Sequence, residues 1–223
     1  MSTCKAFVLA VILALCAGIS SGQCPAKCTC TGTDVSCRKQ QLTTIPLSLP
    51  DATELYLSYN MLASLPDDAF KGLSNLEILN LDNNRLRNIS RATFRGLIKL
   101  KSLFLYTNEL ESIDDGVFEG VPNIVNLFLN DNRLRILSQA TFRGLIKLQF
   151  LVLNKNRLRS LDDGVFEGVP NLTDLMLVMS GLRNISRAAF RGLTNLQYLD
   201  LSVNELQSIV DGVFEGLPNL NFL

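Results

Sequence analysis

The side chains able to do chemistry are few: the chain has six cysteines and no histidine. The missing histidine removes the commonest general base and a common metal ligand. Four cysteines, Cys24, Cys28, Cys30 and Cys37, crowd into one short segment, while Cys4 and Cys16 lie in an apolar leader. An even set of thiols packed this closely in an exported chain reads as two disulfides, the pairing left open among the connectivities that four thiols allow. A zinc site of four thiolates is the competing reading, and an oxidising compartment argues against it. The acidic pairs Asp114-Asp115 and Asp162-Asp163 offer oxygen ligands to calcium, yet they stand beside turns, where helix-start or turn roles fit better. The chain contains no G-x-S-x-G elbow and no phosphate-cradling glycine loop. These residues predict a protein that is not an enzyme and needs neither cofactor nor metal.

Three sequons, Asn88-Ile89-Ser90, Asn171-Leu172-Thr173 and Asn184-Ile185-Ser186, are candidate glycan acceptors in an exported chain. Export itself is read from residues 1–22, a signal peptide with Lys5 ahead of the apolar run Ala6 to Ala17 and small residues Ser20, Ser21 and Gly22 before Gln23. That run is too short to span a bilayer and no other stretch reaches spanning length, so no membrane insertion is expected of the chain as given. Lys plus Arg balances Asp plus Glu at 21 each, so bulk charge favours neither a nucleic acid nor an anionic membrane.

The elements that hold these residues are set by a repeat. Phenylalanine recurs at Phe70, Phe94, Phe118, Phe142, Phe166, Phe190 and Phe214, with glycine two residues after each. Asparagine recurs in step at Asn60, Asn84, Asn108, Asn132, Asn156 and Asn204, with Ser180 filling the gap. Each unit reads L-x-x-L-x-L-x-x-N-x-L, as in Leu76, Leu79, Leu81, Asn84 and Leu86. The L-x-L core has period two, so its leucines face inward and the residues between them face the opposite side. One unit cannot bury its leucines alone, but stacked units align short strands into a parallel sheet over one continuous core. The asparagine amide then serves backbone groups at the turn, repeated as a ladder. Ser180 is too short to serve all of them, so that turn is expected to be the least regular.

The outer half of each unit alternates. DDGVFEGVPN occupies 114–123 and 162–171, with VDGVFEGLPN at 210–219, and S-x-A-x-F-R-G-L begins at Ser90, Ser138 and Ser186. A two-unit period suggests growth by duplication of a pair. It places Lys71, Arg95, Glu119, Arg143, Glu167, Arg191 and Glu215 at one position, where opposite charges should meet on the outer face from Arg95 onward. Exposed pairs contribute about 0–1 kcal/mol each, so this is minor support.

An open stack would expose leucines, so its end needs a cap. Residues 24–37, CPAKCTCTGTDVSC, followed by Leu42-Thr43-Thr44-Ile45-Pro46, stand in that place. This C-P-x-x-C-x-C-x6-C segment with its regular repeats resembles the extracellular leucine-rich-repeat proteins. Within them it looks most like the variable lymphocyte receptors of jawless vertebrates, and is similar to lancelet-type repeat proteins and Slit-like recognition domains. The resemblance covers residues 23–223. It implies Cys24 paired with Cys30 and Cys28 with Cys37. It also implies an α/β-type solenoid, a leucine-rich-repeat horseshoe with a concave parallel sheet and a mostly irregular or short-helical convex side. The expected organisation is a signal peptide at 1–22, a stapled cap at 23–51, seven 24-residue repeats at 52–219 and the start of an eighth at 220–223. The family's C-terminal cysteine-rich cap has no counterpart after Cys37, which suggests a fragment or an incomplete gene model.

Function is expected on the concave strand positions, whose identity folding does not demand. Phe104, Tyr106, Phe128, Phe150, Val152 and Met176 fall together there, with Tyr56 in the same columns. A contiguous apolar patch on a solvated sheet face marks a binding surface with aromatic anchors. Glu54, Asp82, Asn126, Asn130, Asp174 and Asp200 are expected to form its polar rim. The competing explanation is that the aromatics merely pack on one another across strands. Seven strands make a face about 30 Å long, enough for an interface of about 800 Å² per partner. A protein or carbohydrate ligand is therefore expected, bound by an immune-type receptor or by an adhesion, guidance or matrix protein with one fixed partner.

Overall fold

The computed structural model describes residues 24–46, 49 and 51–223, so the signal-peptide reading of 1–22 lies outside the described residues. A hairpin of β1 (Thr29–Thr31) and β2 (Asp34–Ser36) opens the chain. Parallel strands follow at one per repeat: β3 (Glu54–Tyr56), β4 (Ile78–Asn80), β5 (Ser102–Phe104), β6 (Asn126–Phe128), β7 (Phe150–Val152), β9 (Asp174–Met176) and β11 (Tyr198–Asp200). With the hairpin they make one nine-stranded sheet. Two short strands, β8 (Ser160–Leu161) and β10 (Asn184–Ile185), pair separately beside it.

Each parallel strand is three residues long because the L-x-L alternation supplies only that much two-sided surface. The middle leucine, from Leu55 through Leu103 and Leu151 to Leu199, is fully buried, while its neighbours face outward. Register keeps like over like: Leu103 pairs with Leu127 and Phe104 with Phe128. Behind the sheet the repeating phenylalanines form a second buried column, with Phe118, Phe142, Phe166 and Phe190 stacked ring on ring at centroid spacings of 6.4, 5.9 and 6.2 Å. Leucine column and phenylalanine column together make a single core running the length of the stack.

The turns after the strands are held by the asparagine ladder. At Asn132, Nδ2 donates to the carbonyls of Leu105 (3.0 Å), Leu129 (3.1 Å) and Asn130 (3.3 Å), and Oδ1 accepts the Leu110 amide (3.0 Å). One side chain thus satisfies buried groups on two successive turns. The residue before each ladder position sits at positive φ, from Tyr59 (57°) to Val203 (57°), although none is glycine. Ser180 breaks the pattern. Its Oγ reaches the Leu153 carbonyl (2.9 Å), but the Leu158 amide has no protein acceptor among the described residues. Gly181 follows at φ 76° and its amide lacks the bond to the preceding turn that Arg157 and Glu205 make, while the amides of Arg183 and Asn184 both reach the Arg159 carbonyl (2.9 and 3.3 Å). The β8–β10 pair is the product of this local detour, which the sequence pattern did not foresee.

The convex side consists of consecutive turns, with no helix among the described residues, so of the irregular or short-helical side expected it is the irregular one that forms. The glycine of that half has two reasons to be glycine. Gly144 sits at φ +93°, whereas Gly168 avoids a clash, since a Cβ there would lie 2.7 Å from the Phe142 carbonyl oxygen. The outer charge column behaves differently from expectation. Arg191 does bond to Glu167 (Nε to Oε1, 2.7 Å), but Glu119 takes Arg91 and Glu215 takes Arg187. An arginine four residues before the column position reaches across the turn, so alternation alone does not fix the partner. The acidic pairs act in turns: Asp115 accepts the Ser138 hydroxyl, and Asp163 accepts the Ala188 amide (3.1 Å).

At the N-terminal end Cys24 is bonded to Cys30 and Cys28 to Cys37. Cys37 and Val35 are fully buried against the first repeat, and β2 pairs in parallel with β3, so the hairpin covers the sheet edge and the core beneath it.

Candidate recognition face

Strand register assembles the concave row. Phe104 on β5 and Phe128 on β6 stand side by side with ring centroids 4.7 Å apart and planes within 4°. Phe150 on β7 continues the row, tilted 50° from Phe128 at 5.7 Å. Tyr106, just past β5, meets Phe104 edge-on at 6.4 Å. The rings pack on one another, as the cross-strand explanation requires, yet each of the four stays half-buried with its outer side toward solvent. Met176 on β9 is half-buried as well. Val152 is not part of the exposed row: it is only 7% exposed, lying in register between the longer Phe128 and Met176 on its two neighbouring strands.

The polar positions are tied to local partners. Tyr56 donates its hydroxyl to Glu54, and that hydrogen bond, with burial second, pushes its phenol up to about 12. Asn130 Nδ2 donates to Asp131 (2.8 Å), and Asp174 accepts the Thr173 hydroxyl (2.6 Å). Asp200 accepts the Ser202 hydroxyl and amide, contacts that hold its carboxyl below the usual range. Side chains fixed this way lose little freedom when a ligand arrives. Asp82, expected at the rim, is instead fully buried, with Oδ2 accepting from Asn83 (2.6 Å). Tyr106 of the next turn lies near it; burial first, and the Asp82 charge second, raise the Tyr106 phenol. A large side chain one repeat away therefore withdrew this carboxylate from solvent, which a column-by-column reading of exposure does not capture.

Two features escaped the sequence reading. Tyr198 stacks on Phe222 at 4.5 Å, extending aromatic surface at the far end of the sheet. The positive-φ row carries exposed Tyr59 and Met179, each 47% exposed, along the face's edge. Its signal was the position before each ladder asparagine, which framework counting treated as spacer. The sequon residues Asn88, Asn171 and Asn184 are all exposed. Asn171 Nδ2 donates to the Ile146 carbonyl (2.7 Å), while Asn88 and Asn184 make no side-chain hydrogen bond among the described residues.

A disulfide-capped solenoid with a parallel sheet on one side and turns on the other defines a class of extracellular repeat proteins. The sequence profile described as Leucine rich repeat matches residues 50–110, 98–158 and 170–223, and that of the Leucine rich repeat N-terminal domain matches 23–50. The chain belongs to the leucine-rich-repeat family. It is similar to human leucine-rich repeat-containing protein 3B, 36% identical over 101 residues, covering 44% of this chain and 39% of that protein. The chain therefore spans well under half the length of this curated relative. Among solved structures it is similar to human 5T4 (Wnt-activated inhibitory factor 1, trophoblast glycoprotein). There the TM-score is 0.75 at 30% identity, covering 92% of this chain and 81% of that one. It is also similar to TLR13 in a TLR13–ssRNA13 complex, with a TM-score of 0.74 at 28% identity over 76% of this chain and 24% of that one.

Proposed function

We propose that the chain is an extracellular recognition module that binds a protein or glycan ligand through its concave face, in the manner of an immune receptor. The observation that carries this reading is the Phe104–Phe128–Phe150 row, half-exposed on a face where the fold gains no core from apolar side chains. Phe104, Phe128 and Phe150 act as anchors, Tyr106 and Met176 flank them, and Tyr56, Asn130, Asp174 and Asp200 supply oriented polar contacts. Val152 acts from beneath, holding Phe128 and Met176 apart. Glycans at Asn88 and Asn184, which share one repeat position, keep one flank soluble and leave the concave face open. The likeness to a trophoblast glycoprotein supports a glycosylated, cell-surface or secreted setting. The resemblance to variable lymphocyte receptors supports the receptor reading over an adhesion or matrix role with one fixed partner.

Two experiments test it. Ligands are selected from arrays of extracellular proteins and glycans, and the Phe104→Ser/Phe128→Ser chain is compared with the natural one. Loss of about 2 kcal/mol or more per anchor is the hot-spot expectation, with an unchanged thermal melt. Binding that survives both substitutions places the ligand elsewhere. Sequencing of many transcripts from one animal then separates the roles. Variation at 104, 106, 128, 150 and 176 within one framework supports a diversified receptor, and a single invariant transcript supports a dedicated partner.

A further inference from the structure

We propose that the flank opened by Ser180 and Gly181 is a second binding site, distinct from the concave face, for the sulfate groups of an anionic polysaccharide. A cleft of about 330 Å³ lies there, lined by Arg157, Arg159, Arg183 and the carboxylate of Glu205, with Met179, Gly181 and Val203. It exists because the turn departs from the repeat: glycine stands where neighbouring turns carry Arg133, Arg157 or Glu205, leaving a notch the width of one side chain. The same departure frees a donor. The amides of Arg133, Arg157 and Glu205 bond to the preceding turn at 2.9, 2.9 and 2.8 Å, but the Gly181 amide has no protein acceptor among the described residues.

Charge accumulates at this place although the whole chain is neutral. Arg133 and Arg135 of the preceding turn extend the row, so five guanidiniums occupy three successive turns. Arg133 is paired with Glu109 (3.1 Å) and Arg183 with Glu205 (2.8 Å), whereas Arg135, Arg157 and Arg159 form no ion pair among the described residues. A guanidinium presents a planar fork of donors that matches the oxygens of a sulfate or phosphate ester. Two unpaired forks, Arg157 and Arg159, beside Arg183 and a backbone N–H without a protein acceptor suit an oxyanion, and the exposed Met179 and Val203 offer an apolar wall to the carbon face of a sugar ring. A single-stranded nucleic acid has the same charge but needs aromatic platforms for its bases. The cleft contains none, and the continuation of the row toward Arg135 suits repeated anionic groups along an extended sugar chain.

The test is binding to immobilised heparin after enzymatic removal of N-linked glycans, at about 0.15 M ionic strength, where long-range attraction between exposed charges is largely screened. Arg157→Ser/Arg159→Ser is compared with Arg95→Ser/Arg143→Ser, which removes the same charge from the convex side. All four arginines are exposed, and thermal melts confirm that both variants fold. The expected result is retention of the natural chain, about tenfold weaker binding in the cleft variant, and little change in the convex one. Equal loss in both variants would reduce the effect to bulk charge. Absence of retention, or equal retention on desulfated heparin, overturns the proposal. So does tighter binding of poly-uridine through the same arginines, which gives the site to a nucleic acid. None of these results depends on the concave face, since Phe104 and Phe128 are untouched.

Discussion

Replacing Ser180 with asparagine should stabilise the protein. In the regular turns the asparagine Oδ1 accepts a leucine amide of the preceding turn, as Asn156 does for Leu134 at 3.1 Å. At Ser180 the equivalent Leu158 amide is buried without a protein acceptor, and the Leu177 carbonyl loses the donor that Leu129 and Leu153 receive from Asn132 and Asn156. A buried donor left without a partner costs about 1–3 kcal/mol, and an ordinary hydrogen bond contributes about 1 kcal/mol. Against this stands about 1 kcal/mol for ordering the longer side chain. The balance is a gain of about 1–3 kcal/mol, which in a chain of this size raises Tm by about 2–12 °C. Circular-dichroism melts measure the total, and hydrogen exchange at the Leu158 amide measures the cause, since that amide should become protected. The reverse substitution, Asn132→Ser, should cost about 1–3 kcal/mol, because it orphans the Leu110 amide, while the Leu129 carbonyl keeps the Asn156 side-chain amide as donor (3.0 Å). The two sites are two turns apart and share no partner, so the double variant should show the sum. A Tm that stays level in Ser180→Asn, with Leu158 exchange unchanged, would refute the assignment of the defect to the ladder.

Other consequences follow from the core, the cap and the tyrosines. Phe142→Ala removes a ring stacked between Phe118 and Phe166, so urea unfolding should show a loss of about 3–5 kcal/mol. Cys28→Ser/Cys37→Ser opens the bridge that anchors the hairpin, and about 2–4 kcal/mol should be lost, with hydrogen exchange accelerating first in β2 and β3. Tyr56 has its phenol raised from 10.0 to about 12, so its hydrogen bond to Glu54 supports the fold fully below pH 10 and fades as pH rises through about 12. An ultraviolet titration of Glu54→Gln should show one tyrosine ionising closer to 10.0; an unchanged curve would mean that Glu54 is not the cause.

Much of this was legible in the residues because each repeats the same physical demand. Phe118 and Phe142 report the buried column and Asn108 and Asn132 the turn, and neither position tolerates ambiguity when stacked on its own copy. Even the defect at Ser180 could be read, since its hydroxyl is too short, and has too few hydrogens, to serve the amide and the carbonyls that an asparagine bridges across two turns. What the sequence did not display were effects between unlike neighbours. Asp82 is buried by its surroundings and Val152 by Phe128 and Met176, and such burial depends on side-chain size one repeat away. The partner choice of Glu119, Arg91 over Arg95, depends on reach across a turn. The cleft at Gly181 required both a missing side chain and the detour of β8 and β10, and only the second shows that the backbone moved.

In the main sheet each strand pairs only with the strand of the turn before and the turn after. Length is therefore a free parameter of this architecture. Deleting or doubling one whole 24-residue turn would leave the other interfaces as they are, and moving in steps of two turns would also keep the alternating outer segments in phase. A longer or shorter copy could thus reach a differently sized target while using the same cap and the same core chemistry.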